Sequence, residues 1–376
     1  MRTNWASTMV LAAAAMVAGC KGSGEGSQGA SPASSTSASS AMTAPKDTTV
    51  SLNGAGATFP FPLYSKWISE YGKANPGVKI NYQSVGSGAG IKQTLDKTVD
   101  FGASDAPMTE EELGKAPGKL HHIPTNLGAV VVTYNVPEVA TALKLTPEVV
   151  TGIFMGEIKK WNDAKIASLN EGVKLPASSI TPVYRSDGSG TTAVFTDYLA
   201  KVSPTWKEKV GAGKSVKWPS GLGGKGNEGV TGSVKATPGT IGYVELAYAK
   251  QNKLPVALLK NASGKFVEPT LEGVSAAAAA FADKIPEDLR VSITNAPGDT
   301  SYPVAAFTYL LVYEDGANAE KSKAFAKFAW WAIHAGQEFN EPLFYSKLPA
   351  EIVKKDEAKL KLLKAEGKPV LSADEK

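Results

Sequence analysis

The chain has 376 residues, enough for two domains of ordinary size, and its formal net charge of +4 is small for that length. Apolar residues make up 43% of the sequence and charged residues 20%, which is typical of globular proteins with hydrophobic cores. No basic cluster with interleaved aromatic residues occurs, so we expect no nucleic-acid partner.

The first twenty residues have the pattern of an export signal. Arg2 is the only charged residue before the apolar run Met9–Ala18, which is too short for a stable membrane anchor. The run ends in VAGC, which resembles the lipobox of bacterial lipoproteins, although Val17 stands where leucine is usual. We therefore predict a lipoprotein signal peptide over 1–20, with the only cysteine, Cys20, as the lipidated residue. An ordinary signal peptide with an incidental cysteine is the alternative.

The segment that follows has the composition of a flexible tether. Ser, Gly, Ala and Thr dominate residues 21–45, and no aromatic residue occurs there. Such a composition buries too little apolar surface to offset its ordering entropy, so we expect a tether over 21–48. As a random coil of about 25 residues it would span on the order of 25 to 30 Å.

From residue 49 onward the sequence predicts an α/β fold in which a strand, a polar turn and a helix recur four times. The four strand-and-turn segments are TTVSLNGAGATF, VKINYQSVGSGAG, VDFGASDAPMTEEEL and ITPVYRSDGSGTT. Thr109 and Glu112 fit a capping box for the third helix. The other three helices are predicted from apolar faces at helical spacing: Tyr64, Trp67, Ile68 and Tyr71; Ile91, Leu95 and Val99; Val194, Phe195, Tyr198, Leu199 and Val202.

These turns, rich in Gly, Ser, Thr and Asp, predict an anion site. Ligands of open α/β sheets bind at the carboxyl ends of strands, and helix starts present unpaired N–H groups. RSDGSGTT adds Arg185 to such a turn. Several converging donors, at about 1.5–3 kcal/mol for each charged hydrogen bond, can hold a small anion without a metal or cofactor.

Two other patterns suggest competing functions and are weak. The run GLGGKG, Gly221–Gly226, matches the spacing of a dinucleotide fingerprint, but Pro219 precedes it and glycines follow, so we expect a structured loop. An enzyme would need a base, and the three histidines give little support: His121 and His122 are adjacent in a predicted loop, and His334 lies in an apolar helical stretch. The charged end, residues 350–376, is predicted to be solvated and partly helical.

Taken together, the segments resemble the phosphate-binding proteins of bacterial phosphate ABC transporters, which have the type II periplasmic binding protein fold. The resemblance runs from about Val50 to at least Pro349 through GAGATFP, GSGAGIKQ, VDFGASDAP, IKKW, RSDGSGTT, VKWPSGLGGKGN and IGYVELAYAKQN, in that order. It implies a monomeric, non-enzymatic receptor that passes phosphate to a membrane permease. A receptor for another oxyanion such as sulfate, a phosphate-releasing hydrolase on a similar scaffold and a scavenger without a permease are the alternatives.

The resemblance also implies which residues bind phosphate. Asp105 matches the acceptor carboxylate and Arg185 the guanidinium of the family, with Asp187 holding the arginine. One departure is Gly88, which takes a place often held by a second serine. The remaining predicted donors are Thr58, Phe59, Ser87, Ser189, Gly190 and Thr191.

Elementary chemistry gives Asp105 and Arg185 different roles. An ionised carboxylate only accepts hydrogen bonds, and near neutral pH phosphate carries a proton to donate whereas sulfate carries none. A site built around one such bond can reject the analogue that lacks it by about 10⁴–10⁵-fold. Asp105 is therefore the predicted selectivity element and Arg185 the predicted affinity element.

In the family fold, two lobes are joined by two crossings with the ligand between them. Here the crossings are predicted near 125–130 and 296–302. The first lobe is then discontinuous, 49–127 plus 298–376, and the second lobe is 128–297. Ligand that contacts both lobes would favour a closed form.

Overall fold

The computed structural model describes residues 49–372, so the predicted signal peptide, Cys20 and tether lie outside the described residues. The strands in this part of the chain are β1 Val50–Gly56, β2 Val78–Ser84, β3 Phe101–Ser104, β4 Leu120–Tyr134, β5 Lys144–Leu145, β6 Thr181–Arg185, β7 Leu222–Gly224, β8 Thr240–Glu245, β9 Leu258–Lys260, β10 Phe266–Val267, β11 Ala305–Tyr313, β12 Asp315–Gly316, β13 Lys364–Ala365 and β14 Lys368–Pro369.

Helices alternate with these strands, and short 3₁₀ turns occur at 282–284, 335–339 and 341–343. The α-helices are α1 Phe61–Ala74, α2 Ser87–Leu95, α3 Glu110–Leu113, α4 Pro147–Phe154, α5 Ala164–Ala167, α6 Gly190–Val202, α7 Pro204–Lys209, α8 Gly226–Ala236, α9 Leu246–Gln251, α10 Leu271–Ala279, α11 Ala319–Ile333 and α12 Ala350–Leu360. The four predicted strand–turn–helix units correspond to β1–α1, β2–α2, β3–α3 and β6–α6.

The main sheet is mixed and has the order β2-β1-β3-β11-β4-β8-β6-β7. It contains two parallel blocks: an amino-terminal block of β1, β2 and β3, and a central block of β6, β7 and β8. Three antiparallel pairings separate the blocks, so their strands run in opposite directions. The predicted α/β class is confirmed.

Strand β4 connects the two blocks. Its first part, up to Ala129, pairs with β11, and its second part, from Val130, pairs with β8. All of β4 after Leu120 is buried, because helices cover the sheet on this stretch. The change of partner falls at one end of the predicted first crossing; the lobe boundaries themselves stay a prediction.

The predicted helix faces are largely those that the fold buries. Tyr64, Trp67 and Tyr71 of α1 are buried, and the capping box of Thr109 forms, with its hydroxyl accepting from the N–H of Glu112. The predicted apolar face of the second helix, which included Val99, extended past the end of that helix. Helix α2 ends at Leu95, and Lys97 has a φ of 54°, a left-handed conformation that stops a helix before Val99.

Three predictions about local structure were wrong. His121 and His122 lie in β4 rather than in a loop, because their backbones pair with β11. The Gly221–Gly226 run forms β7 and the start of α8 instead of a loop. Its glycines allow the strand and helix to pack closely, since a Cβ added at Gly224 would lie 2.7 Å from the backbone nitrogen of Val230.

The third, which concerns the charged end of the chain, was wrong in part: up to residue 372 this end is partly helical, as predicted, but one face of it is packed rather than solvated. Helix α12 buries Ile352, Asp356 and Leu360 against the body, and Leu363 and Val370 follow in the core. The sequence contains the leucine spacing, but the high charge of the segment led to the prediction of a solvated end. No helix within 49–372 has both the length and the hydrophobicity to cross a bilayer.

Candidate functional site

The turns after β1, β2 and β3 lie together because glycines allow a close approach of backbones. Gly56 ends β1 with a φ of 151°, and a Cβ there would lie 2.7 Å from the backbone nitrogen of Ala103. A Cβ at Gly90 of α2 would lie 2.7 Å from the carbonyl oxygen of Ala55. Larger residues would push α2 and β3 away from the end of β1. We call this group of turns the amino-terminal side of the site.

Asp105 is the acidic group of the amino-terminal side and is only 3% exposed. Its Oδ1 accepts a 3.0 Å hydrogen bond from the hydroxyl of Thr308, and its Oδ2 lies 3.5 Å from the Ser87 hydroxyl. The backbone N–H of Asp105 donates to the same serine oxygen at 3.3 Å. Two predicted ligand residues are therefore in direct contact.

Thr58 and Phe59, at the end of the first turn, are also buried. The hydroxyl of Tyr248 donates to the Thr58 carbonyl oxygen at 2.5 Å, and the hydroxyl of Tyr345 donates to the Phe59 carbonyl oxygen at 2.7 Å. Both carbonyl groups of the turn are thus fixed by buried tyrosines from distant parts of the chain. Their fixed peptide groups also fix the direction of the neighbouring N–H groups.

The central side of the site is built around Arg185, the last residue of β6. Its Nε donates to Asp187 Oδ1 at 2.8 Å, and its Nη2 donates to Asp187 Oδ2 at 2.5 Å. Asp187 Oδ1 also accepts from the N–H of Gly226 at 3.0 Å. This bidentate pair holds the guanidinium in one orientation.

Helix α6 begins on the central side with the predicted donors. Ser189 is its N-cap and accepts from the N–H of Thr192 at 3.0 Å. Gly190 and Thr191 are its first residues, so the helix leaves their N–H groups without an i−4 partner. A Cβ added to Gly190 would lie 2.8 Å from the Cβ of Asp105, which places the helix start directly against the amino-terminal side.

Contacts between the two sides bring the predicted residues into one site. The N–H of Gly88 donates to the carbonyl oxygen of Gly188 at 2.9 Å. Asn227, in the first turn of α8, donates from Nδ2 to the hydroxyl oxygens of Thr58 at 2.8 Å and of Thr191 at 3.1 Å. A second serine at the position of Gly88 would meet backbone, since a Cβ there lies 3.2 Å from the Cα of Gly188.

Asn227 and Thr308 were missed by the sequence reasoning. Asn227 closes the VKWPSGLGGKGN segment, and that position was a usable signal. Thr308 lies inside the apolar strand β11, where only the pairing of β11 with β3 and β4 brings it to Asp105. No local pattern marks it.

Burial and charge shift the acidity of the two aspartates in opposite directions. Burial raises the pKa of Asp105 to about 7, although the Thr308 hydrogen bond and the charge of Arg185 act to lower it. Burial would also raise the pKa of Asp187, but hydrogen bonds and charge from Arg185 hold that pKa below its ordinary value. The site therefore contains one acid poised near neutrality and one that stays ionised.

The three histidines have hydrogen-bond partners other than the predicted ligand residues. His122 Nε2 accepts from the N–H of Met108 at 3.0 Å, and burial lowers its pKa to about 3. His121 Nε2 lies 2.9 Å from Glu314 Oε2, and His334 Nε2 lies 2.9 Å from Glu357 Oε1. Within residues 49–372 no group of three or more His, Cys, Asp or Glu side chains could hold a metal ion. The arrangement can bind an oxyanion through many donors and one acceptor.

Comparison with known proteins agrees with this geometry. A family model described as a PBP superfamily domain matches residues 33–333. The phosphate-binding protein PstS of Pasteurella multocida is 49% identical over 83% of this chain and 90% of its own length. The PstS of Xylella fastidiosa is 43% identical over 93% of this chain and 95% of its own length.

Among solved structures, a phosphate-binding protein from Stenotrophomonas maltophilia has the same fold. Its TM-score is 0.64 at 20% identity, with 82% of this chain and 93% of that chain covered. At 20% identity this similarity shows the fold alone. The two PstS proteins, at 49% and 43% identity, show the family. The chain therefore belongs to the PBP superfamily and, within it, to the family of the PstS phosphate-binding proteins.

Proposed function

We propose that this protein captures inorganic phosphate outside the cytoplasmic membrane and delivers it to an ABC permease, without catalysing a reaction. The observation that carries the proposal is that donor groups of the amino-terminal and central sides lie around one buried acceptor, Asp105. The relatives named phosphate-binding protein PstS support the same ligand.

The chemistry of the site favours phosphate over sulfate. Arg185 and the start of α6 supply donors that any tetrahedral oxyanion could use. In its ionised form, which the anion-free protein reaches above about pH 7, Asp105 can only accept a hydrogen bond, so it suits an anion that still carries a proton. Sulfate would place an oxygen without a proton against this buried acid, at a large cost in affinity.

We further propose that phosphate stabilises a closed arrangement of two lobes, 49–127 plus 298–376 and 128–297. Direct contacts between the two sides support this proposal. Besides the Gly88–Gly188 bond, Lys214 Nζ lies 2.8 Å from Glu112 Oε2, and both side chains are half-buried. Because phosphate would contact both sides, it would favour the closed arrangement that a permease can recognise.

The proposed place of action is the outer side of the membrane. The VAGC segment and the Ser/Gly-rich stretch after it support a receptor held by lipid at Cys20 and by a tether over 21–48. Mass spectrometry of the mature protein tests the lipid. A mature chain that begins elsewhere, or that has an unmodified Cys20, would contradict the anchor.

The central test is calorimetric titration of the purified, anion-stripped protein with phosphate and with sulfate. We expect tight phosphate binding and negligible sulfate binding. Asp105→Asn, which can donate as well as accept, should lower the ratio of phosphate affinity to sulfate affinity by about tenfold or more. Equal binding of the two anions by the wild type, or no phosphate binding, would overturn the proposal.

A further inference from the structure

Asn227 has a fixed orientation at the centre of the site. It is fully buried, and its Oδ1 accepts a 2.9 Å hydrogen bond from the backbone N–H of Glu245. That N–H can only donate, so it identifies the oxygen of the amide and leaves Nδ2 facing the other way. Both hydrogens of Nδ2 therefore point at the threonines of the two sides.

The first of these threonines, Thr58, has both acceptor positions of its hydroxyl filled by Asn227. Nδ2 donates to Thr58 Oγ1 at 2.8 Å, and the backbone N–H of Asn227 donates to the same oxygen at 3.2 Å. A hydroxyl has two lone pairs and one hydrogen. With both lone pairs occupied, Thr58 can only donate its hydrogen to something else.

The hydroxyl of Thr191, on the central side, also has both of its lone pairs occupied. Its Oγ1 accepts from Asn227 Nδ2 at 3.1 Å and from Arg185 Nη1 at 3.3 Å. Neither Thr58 nor Thr191 has an acceptor for its hydroxyl hydrogen within the part of the chain that the structure describes. Both residues are buried, and a buried O–H without an acceptor is costly.

We infer that Asn227 is a positioning residue that forces the hydroxyls of Thr58 and Thr191 to donate to the bound anion. This inference rests on the proposed function, because phosphate supplies the missing acceptors. Asn227 acts through the threonines and does not itself need to touch the ligand. Its single side chain sets the hydrogen-bond direction on both sides of the cleft at once.

A double-mutant cycle measured by phosphate calorimetry tests the inference. Asn227→Leu should weaken phosphate binding about tenfold in the wild-type background, because the threonine hydrogens lose their imposed direction. Asn227→Asp should weaken it by about 100-fold, because each threonine can then donate to the new carboxylate instead of to phosphate. In a Thr58→Val, Thr191→Val background, Asn227→Leu should change the affinity less than about threefold.

The matched control is Asn170→Leu. Asn170 is also a buried asparagine, but its side chain bonds only to Lys144 and Ile166, away from the site. Its replacement should lower stability and leave phosphate affinity unchanged. Equal losses from Asn227→Leu in both backgrounds would overturn the inference, since a purely structural role is additive. Wild-type affinity in Asn227→Leu would overturn it as well.

Three further outcomes remain distinguishable. If the Asn227 variants fail to fold, the single variants Thr58→Val and Thr191→Val decide: each should lose about tenfold in affinity, and an unchanged affinity would overturn the inference. If the wild type fails to bind phosphate, the proposed function fails and the inference with it. If the wild type binds and the cycle is additive, only the inference fails.

Discussion

The amino-terminal side of the site carries an acid without a cationic hydrogen-bond partner, whereas the central side carries an arginine already paired with an acid. Asp105 is bonded to the hydroxyl of Thr308 and lies near that of Ser87, while Arg185 is clamped by Asp187. When both acids are ionised, these charges sum to one negative charge. The site therefore relies on oriented hydrogen-bond donors rather than on net positive charge.

The central side contributes binding affinity, and the amino-terminal side contributes selectivity. The central side fixes a guanidinium and a helix start, which serve any oxyanion. The amino-terminal side adds the acceptor that discriminates by proton content. The variants below separate these two contributions.

The largest expected effect comes from the central side. Arg185→Met removes the guanidinium and leaves Asp187 without its cation, so phosphate affinity should fall by about 10²–10³-fold in calorimetry. Arg185→Met with Asp187→Asn should recover part of the loss, because the uncompensated carboxylate is gone. An affinity within about threefold of the wild type in Arg185→Met would show that the guanidinium does not bind the anion.

A smaller effect is expected for Asp105, in the pH dependence of the free energy of unfolding. The folded protein keeps the Asp105 proton up to about pH 7, while an unfolded chain releases it near the ordinary value of 3.8. The stabilisation is therefore complete below the unfolded pKa and is lost as pH rises through the folded pKa. Without anion, the unfolding free energy should fall by about 2 kcal/mol more in wild type than in Asp105→Asn between pH 5 and pH 7.

Denaturant unfolding of both proteins, stripped of anion, measures this difference. Asp105→Asn serves as the internal reference, because the other buried acids titrate alike in the two proteins. Parallel pH profiles would mean that Asp105 is already ionised at pH 5. The negative charge would then be tolerated without phosphate.

The smallest expected effect tests the contact between the sides. Gly190→Ala would place a Cβ 2.8 Å from the Cβ of Asp105, so the sides must separate, and phosphate affinity should fall about tenfold. Gly232→Ala is the matched control in α8, where an added Cβ meets nothing within 4 Å. That control should bind phosphate normally and gain up to about 1 kcal/mol in stability from helix propensity. Equal affinity in the two variants would contradict the close contact.

Much of the site was readable from local sequence. Thr58, Ser87 and Asp105 each follow a strand and Arg185 ends one, and local chemistry predicts such donor-rich turns at strand ends. Their assignment as phosphate ligands came from the family resemblance. The apolar spacing of α1 and α6 was readable for the same reason, since a buried face imposes a helical period. The capping box at Thr109 is also a local interaction and forms as predicted.

The errors came where nonlocal pairing overrides local pattern. His121 and His122 precede Pro124, which locally favours a loop, yet pairing with β11 extends β4 through all three residues. The register shift between Thr308 and Tyr309 lies opposite this proline, which has no N–H to donate to the ladder. The charged end was misjudged because its few leucines find a core that only the folded body provides.

By itself, the sequence determined the strand–turn–helix units, the glycines at their turns and the types of donor and acceptor at each strand end. These are set by backbone sterics and hydrogen-bond chemistry within a few residues. Only the tertiary structure decided that Asn227 joins Thr58 to Thr191 and that Thr308 reaches Asp105. Those contacts link residues far apart in the chain, and they exist because the opposed blocks of the sheet bring the two groups of turns together.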